Sequence, residues 1–360
     1  DTTVAGTISG TGGSFTKTGS GTTTFTGANT YTGATTITDG TLALSAGGSL
    51  SDLSAVNISS ATGVLDISGI TASSETIASI AGVSGSKVFL GAKNLTAGDS
   101  SNTTMAGVIS DGGIAGGTGG SLSKQGTGKL TLSGANTYTG DTTVNAGTLE
   151  TSGNERIANA SDLIVASGAT FLLGGFESLS SISGAGSINL QSNTLVTDSN
   201  VDTTFSGVIS GTDSSVLTKT GTGKLTLSGA NTYTGTTNFN GGSADLTGSL
   251  ESKFVNVATG VILDSKTGGL SSAADLSNDG TINLGSTDDT VKNYTSTGTL
   301  NGPGTLTALN YNLNGGSVVK ANLGTGTITT NGNVDLYGTS AAATIVINAA
   351  SVLNLKGPEL

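Results

Sequence analysis

Hydrophobic and polar residues alternate over short stretches along most of this chain. In "KLTLS", Leu130 and Leu132 alternate with Lys129, Thr131 and Ser133. Successive side chains of a strand point to opposite faces, so this pattern indicates a strand with one apolar face and one polar face. Segments such as "TTVNAGTLE" and "GSINLQSNTL" are bounded in the same way by Gly, Asn, Asp or Ser. The chain is therefore predicted to be a succession of short strands.

Helical periodicity does not persist beyond one turn anywhere in the sequence. The longest candidate, "ASSETIASIAG" at 72–82, contains glycine and β-branched residues. Val144 and Leu149 continue the inward-facing set, and the predicted core consists of small aliphatic side chains. Sandwiches and propellers need long-range pairing and usually a more aromatic core, so we predict an all-β, right-handed parallel β-helix. Roughly 22 residues per coil would give on the order of 16 coils in a single elongated rod over 1–360.

One phrase, "GANTYTG", begins at residues 27, 134 and 229. The related segments "AGTISG", "AGVISD" and "SGVISG" precede the three copies and define modules near 5–44, 106–150 and 206–246. Between them, "ETIASIAGVSGS" from Glu75 is echoed by "ESLSSISGAGSI" from Glu177. Copies about 100 residues apart would lie four or five coils apart, roughly 20 Å along the axis. Each copy is therefore interpreted as a structural module and not as part of one composite site.

The longest matching segments are "KQGTGKLTLSGANTYTGDTTVNAGTL" at 124–149 and "KTGTGKLTLSGANTYTGTT" at 219–237. They resemble the autotransporter-associated β-strand repeat of type V secretion passenger domains. This resemblance implies a Gram-negative passenger, at the cell surface or secreted, that is delivered through its own outer-membrane barrel. The first residues, "DTTVAGTISG", lack the features of a signal peptide, and the chain ends at "LNLKGPEL" without a C-terminal barrel. We therefore expect a segment of a longer passenger.

Composition and charge exclude several functional classes. The chain has 13 basic and 24 acidic residues, and its net charge of −11 disfavours binding to nucleic acid or to anionic membranes. No apolar run is long enough to cross a bilayer, so we expect no membrane insertion of this segment. Cysteine and histidine are absent, which excludes disulfides, thiolate or imidazole metal sites and the usual catalytic triads.

An enzyme remains the runner-up class, because parallel β-helices also carry polysaccharide lyases and hydrolases. Such sites gather several carboxylates with Lys or Arg on one face. Arg156, beside Glu155, is the single arginine, and the acidic residues are scattered. We therefore predict that this segment is not an enzyme and needs no cofactor.

The densest acidic stretches contain Asp198 and Asp202, and Asp288 and Asp289. Turn carboxylates can bind Ca²⁺, but neither stretch matches an EF-hand loop or the nonapeptide of calcium-binding β-rolls. We interpret them as solvated turn residues and predict no metal site. Regular threonine ladders would suggest ice binding, but here Ser, Asn, Asp and Lys interrupt them.

Three residue types recur at one position in each module. A receptor-contact interpretation treats them as a spaced set of binding residues. The alternative is structural, with Asn capping a tight turn, Tyr packing over a coil edge and Lys deterring sideways strand pairing. We favour the structural interpretation, because the copies repeat for the same local reason. The positions are Lys17, Lys124 and Lys219; Asn29, Asn136 and Asn231; and Tyr31, Tyr138 and Tyr233.

The function expected from these observations is structural and adhesive. The segment would project from the cell and mediate attachment or autoaggregation through many weak contacts. Its expected partners are a host-cell, matrix or sister-cell surface, and its own barrel in the precursor. A mechanical stalk without a ligand is a further alternative.

Overall fold

The computed structural model describes residues 1–357, and all the regular elements in that part of the chain are β-strands. The strands pair in parallel and stack as a β-solenoid of about 19 turns. The prediction of an all-β fold with parallel, stacked coils is therefore confirmed. The chain divides into two compact units, Asp1–Ile182 and Ser183–Leu360. That residues 1–360 form one continuous rod stays a prediction, and residues 358–360 lie outside the described residues.

The strands are short, most of them three or four residues long. Those that begin in the first unit are β1 Thr2–Val4, β2 Phe15–Lys17, β3 Thr22–Phe25, β4 Thr35–Ile37, β5 Thr41–Ala46, β6 Ala55–Ile58, β7 Val64–Ile70, β8 Ser74–Ile77, β9 Ser79–Gly82, β10 Lys87–Phe89, β11 Asn94–Ala97, β12 Thr103–Met105, β13 Val108–Ser110, β14 Ser121–Lys124, β15 Lys129–Leu132, β16 Thr142–Val144, β17 Thr148–Thr151, β18 Asp162–Val165, β19 Thr170–Leu172, β20 Glu177–Leu179 and β21 Ser181–Gly184. Those that begin in the second unit are β22 Ser187–Asn189, β23 Thr194–Thr197, β24 Thr203–Phe205, β25 Val208–Ser210, β26 Val216–Lys219, β27 Lys224–Leu227, β28 Ala230–Asn231, β29 Thr236–Phe239, β30 Ser243–Leu246, β31 Ser249–Leu250, β32 Phe254–Val257, β33 Ile262–Ser265, β34 Asp275–Asn278, β35 Thr281–Leu284, β36 Asp289–Ser296, β37 Thr299–Asn301, β38 Thr305–Asn314, β39 Val318–Val319, β40 Asn322–Leu323, β41 Thr327–Asn331, β42 Asn333–Leu336, β43 Thr344–Ile347 and β44 Val352–Leu355.

Three parallel sheets run through the first unit. One contains β1, β3, β5, β7, β10 and β13 in that order, and a second contains β2, β4, β6, β9, β12, β15, β17 and β19. The third contains β8, β11, β14, β16 and β18. Neighbouring strands within a sheet are two or three apart in chain order. This is the pattern of a chain that returns to each face once per turn.

Two long sheets account for most of the second unit. One contains β24, β27, β30, β33, β35, β37, β39, β42 and β44, and the other contains β23, β26, β29, β32, β34, β36, β38, β41 and β43. Leu276, Tyr294, Tyr311 and Ile328 are successive partners in the register of the second of these sheets. Apolar residues therefore stack on apolar residues, and the core of this unit consists of aliphatic and aromatic side chains.

The predicted inward-facing residues lie in this core. Leu130 and Leu132 are buried in β15, and Leu149 of β17 stacks directly on Leu130. Val144 of β16 is also fully buried. The period-two pattern therefore identified the buried face correctly, and segment 72–82, which lacks that pattern, forms β8 and β9 rather than a helix.

Turn length is where the sequence-based prediction differs from the structure. Near the C-terminal end a turn takes only 17 residues, as between Asn293 and Asn310. Between Asn102 and Lys129, where the connection at Asp111–Gly120 is inserted, a turn takes 27 residues. The prediction of roughly 22 residues per coil missed this range, and the predicted 16 coils are too few because the shorter turns dominate.

Candidate functional site

The recurring lysine is buried and binds main-chain carbonyl groups. Lys124 is 1% exposed, and its Nζ donates to the carbonyl oxygens of Gln125, Gly126 and Ala146 at 2.7, 2.9 and 3.2 Å. The turn "QGTG" thus directs two carbonyls of its own coil toward the ammonium group, and the next coil supplies the third. Burial lowers the pKa of Lys124, while Asp99 acts in the opposite direction.

The other two lysines repeat this arrangement. Lys17 donates to the carbonyls of Thr18, Gly19 and Asp39. Lys219 donates to those of Thr220, Gly221 and Gly241 at 3.1, 2.9 and 2.9 Å. The interpretation of these lysines as guards of an exposed edge is therefore wrong, since each one satisfies the carbonyls of a tight turn inside the coil stack.

The recurring asparagine connects consecutive turns. Asn29 accepts the N–H of Ile8 through Oδ1 at 2.9 Å, and its Nδ2 donates to the carbonyl of Ser49 at 2.8 Å. Asn136 makes the same pair of bonds with Ile109 N and Arg156 O. Each of these side chains therefore forms hydrogen bonds with the preceding turn and with the following turn.

Asn231 follows the same rule. It accepts the N–H of Ile209 at 3.0 Å and donates to the carbonyl of Ser249 at 3.1 Å. All three asparagines are at most 4% exposed. They therefore bridge stacked turns, which is a wider role than the capping of one tight turn.

The recurring tyrosine lies inside the core and not over a coil edge, so that part of the prediction is wrong. Tyr138 is fully buried, and its hydroxyl forms a 2.6 Å hydrogen bond with Thr142 Oγ1, which in turn contacts Ser161 Oγ at 2.9 Å. Burial raises the pKa of Tyr138. The chain of hydroxyls explains how a phenol is accommodated in an aliphatic core.

Identical hydroxyl chains occur at the other two positions. Tyr31 contacts Thr35, which contacts Ser54, at 2.6 and 2.8 Å. Tyr233 contacts Thr237, which contacts Ser252, at 2.6 Å in both steps. Burial raises the pKa of Tyr233 to about 12.

The module copies occupy different faces of the first unit. In the first copy Lys17 lies in β2, and in the second copy Lys124 lies in β14. Strand β2 shares its sheet with β15, which carries the leucines of the second copy, whereas β14 belongs to the third sheet. Equivalent residues therefore do not line up on one face. Since they are also buried, a receptor cannot bind them as a spaced set.

Two buried carboxyl groups, those of Glu75 and Glu177, accept main-chain N–H groups from the preceding turn. The sequence analysis did not predict this role. Glu75 is 3% exposed and accepts the N–H of Leu50 at 2.7 Å. Glu177 is fully buried and accepts the N–H groups of Arg156 and Ile157 at 2.7 and 3.2 Å. Burial raises the pKa of both carboxyl groups to about 7. The echo of "ETIASIAG" in "ESLSSISG" was the available signal.

One of the four aspartates singled out in the sequence is not solvated. Asp289 is fully buried, burial raises its pKa, and its Oδ1 accepts the N–H of Leu270 at 3.1 Å. The solvated interpretation is therefore wrong for this residue. Asp198, Asp202 and Asp288 instead tie exposed turns together by accepting the N–H groups of Gly221, Lys224 and Thr305. Within residues 1–357 no three acidic side chains converge as a metal site would require.

The connection Asp111–Gly120 is an irregular segment of the first unit, made of bends and turns between β13 and β14. It folds back across the sheet, where Ile114 N donates to Asp66 Oδ2 at 2.6 Å and Ala115 N donates to Ser68 Oγ at 3.0 Å. The side chain of Ile114 is 70% exposed at its tip. This loop is a candidate contact region, held in place by two side chains of an earlier turn.

Comparison with known proteins agrees with the repeat pattern. The passenger-associated-transport-repeat family matches residues 15–44, 122–150 and 217–243. The chain is 38% identical over 131 residues to the adhesin BmaC autotransporter of Brucella suis biovar 1 (strain 1330), a stretch that covers 34% of this chain and 4% of that protein. No solved structure matches the chain. None of the described elements is a helix that could cross a membrane.

Proposed function

From an autotransporter passenger segment built on three passenger-associated transport repeats, we propose a surface protein that mediates attachment or autoaggregation. Passengers of this family are surface-exposed or secreted in Gram-negative bacteria, and a C-terminal outer-membrane barrel carries them in the precursor. The relative whose name includes "adhesin" supports the same assignment. The target is a host-cell, matrix or sister-cell surface.

The observation that carries this proposal is the division between the repeated residues and the outer surface. Every recurring Lys, Asn and Tyr is buried and stabilises the turns of the solenoid. The residues on the outward faces can therefore differ from turn to turn. Those faces present mainly Thr, Ser and Asn, with few aromatic side chains and a single arginine. Such surfaces lack the residues that dominate tight interfaces, so individual contacts are weak.

Weak contacts become effective when they are multiplied. Many copies on one cell raise the effective concentration, and avidity exceeds single-site affinity by factors on the order of 100 to 10,000. We infer that the soluble monomer binds feebly and that a dense display binds well. We also propose a non-enzymatic role. Within residues 1–357 no three acidic side chains converge, and Asp245, which lies beside both Lys224 and Lys266, is taken up in ion pairs with them.

The experiment compares the segment in two forms. Soluble monomer and bead-coupled protein are tested on cultured epithelial cells, on extracellular matrix and on bacteria of the source strain, with albumin-coated beads as a control. Attachment or clumping by the protein-coated beads, with little binding of the monomer, supports the proposal. Attachment equal to that of the albumin beads on all three surfaces contradicts it and leaves a mechanical stalk. Turnover of a polysaccharide by the purified segment would favour the enzyme alternative.

A further inference from the structure

A shallow groove lies on the outward face of the second unit. Two parallel rows of side chains from β32, β34, β36 and β38 line it, and it encloses about 490 Å³. The first row is Phe254, Asp275, Asn293 and Asn310, and the second row is Asn256, Ser277, Thr295 and Asn312. Strand register places these residues one turn apart, about 4.8 Å along the stack.

The first row is ordered by hydrogen bonds along its length. Asn293 Nδ2 donates to Asp275 Oδ1 at 2.7 Å, and Asn310 Nδ2 donates to Asn293 Oδ1 at 2.8 Å. An amide group has two N–H donors and two acceptor lone pairs. The ladder uses one of each on Asn293, and it fixes the direction in which the remaining donor and acceptor point.

The second row begins with a similar contact. Asn256 Nδ2 donates to Asn238 Oδ1 at 2.8 Å, which holds this side chain at the edge of the groove. Ser277, Thr295 and Asn312 add hydroxyl and amide groups in the following turns. The two rows thus present hydrogen-bond donors and acceptors at intervals of one turn along the groove.

An aromatic ring stands at one end of the groove. Phe254 is 50% exposed in the first position of the first row, next to Asp275. Rows of amides beside one exposed aromatic face match the chemistry of sugar recognition, which combines polar and apolar contacts. Vicinal hydroxyls bond to amides, and the C–H face of a pyranose packs on an aromatic ring.

The charge of the groove is close to balanced. Its one carboxylate, Asp275, lies 3.8 Å from the ammonium group of Lys292. The net charge of the chain, −11, opposes anionic polysaccharides and nucleic acids. The chemistry therefore favours a neutral ligand rich in hydroxyl groups.

We propose that this groove binds a neutral oligosaccharide, with one sugar packed on Phe254 and about three successive residues of the glycan following the two rows of side chains. This inference rests on the proposed adhesive function and supplies its ligand class. An extended peptide is a poorer fit, because the main-chain groups of these central strands are already paired with their neighbours.

A matched pair of variants tests the assignment. Asn283, in β35 on the other long sheet of the same unit, donates to Asp264 and accepts from Asn301, just as Asn293 donates to Asp275 and accepts from Asn310. Asn293→Ala and Asn283→Ala therefore break equivalent ladders, but only the first lies in the groove. Phe254→Ala is the second groove variant, and Phe176→Ala, at 37% exposure in the first unit, is its control.

The binding assay uses bead-coupled protein on immobilised lacto-N-neotetraose, mannotetraose and maltotetraose, with a heparin tetrasaccharide as the anionic arm. We expect binding to at least one neutral glycan and a fivefold to tenfold loss in each groove variant, from a lost hydrogen bond in Asn293→Ala and a lost ring contact in Phe254→Ala. Asn283→Ala and Phe176→Ala should bind like the parent. Circular dichroism and melting curves confirm that each variant is folded.

Four results overturn the assignment: no binding to the neutral glycans, equal losses in groove and control variants, loss only in a variant that has unfolded, or binding to heparin alone. Cell attachment separates this inference from the proposed function. If the beads attach to cells and neither free glycan nor the Asn293→Ala substitution reduces this attachment, the groove proposal is refuted and the adhesive function is not. Beads that attach to no surface refute adhesion itself.

Discussion

Replacing the buried Glu75 with glutamine should stabilise the first unit at neutral and alkaline pH. The carboxyl group is 3% exposed and has one main-chain donor, Leu50 N, at 2.7 Å. Glutamine keeps an oxygen for that donor and carries no charge. The chain already uses an amide in the corresponding way, because Asn29 accepts the N–H of Ile8 one turn from its own position.

The size of the effect follows from proton linkage. Burial, the largest cause, raises the pKa of Glu75 from 4.5 to about 7, and nearby Asp52 adds to the shift. The folded protein then holds a proton that the unfolded chain releases, so the contribution of Glu75 to stability is fully present below about pH 4.5. This contribution is lost as the pH rises through about 7. Each tenfold change in proton affinity corresponds to about 1.4 kcal/mol, which gives a loss of about 3 kcal/mol.

Urea unfolding followed by circular dichroism at about pH 4 and about pH 8 measures this difference. We expect Glu75→Gln to match the parent in acid and to exceed it by up to about 3 kcal/mol at the higher pH. Glu150→Gln is the control, because the ion pair with Lys129 at 2.7 Å lowers the pKa of Glu150. This variant should lose less than about 1 kcal/mol, and only above about pH 4.5. A Glu75→Gln protein that is less stable than the parent at the higher pH would refute the reasoning.

Three further predictions concern the repeated module. Lys124→Met should lower unfolding stability by about 2–4 kcal/mol, because three turn carbonyls lose their donor; Lys129→Met, at an exposed site, should cost under about 1 kcal/mol in the same urea titration. Tyr138→Phe should cost about 1–3 kcal/mol in thermal unfolding without changing bead attachment, and a selective loss of attachment would show that it contacts a receptor. Gly147→Ala should cost more than Gly260→Ala in that assay: both glycines have positive φ, but only at Gly147 would a Cβ lie 2.5 Å from carbonyl oxygens of the preceding turn. Equal costs would contradict the close-approach argument.

The strand pattern was predictable from the sequence because it is local. Leu130 and Leu132 face the core for the reason that the period-two alternation gives, and Leu149 stacks on Leu130 because the next turn repeats the pattern. The repeat phrase also lies within the three segments that the passenger-associated-transport-repeat family matches. Each of these inferences needs only a few neighbouring residues.

The buried polar contacts were not predictable, because each group of contacts includes a partner that lies about one turn away. Lysine is rarely buried, so Lys124 was expected at the surface; its burial depends on carbonyls that converge only after the "QGTG" turn and the next coil are folded. Glu75 bonds to Leu50, 25 residues earlier, and no local pattern marks that pair. The groove beside Phe254 likewise exists only once the register of four strands is known.

The change of face between module copies has a consequence for how such genes lengthen. The bonds of Lys124, Asn136 and Tyr138 reach partners within about one turn, so a copy depends only on itself and on the turns directly beside it. Duplication of the encoding DNA need not preserve phase with the older copies, since no copy depends on aligning with another. The outward residues of each new copy can then diverge under selection, while the buried residues of the repeated phrase are kept because they stabilise the turns.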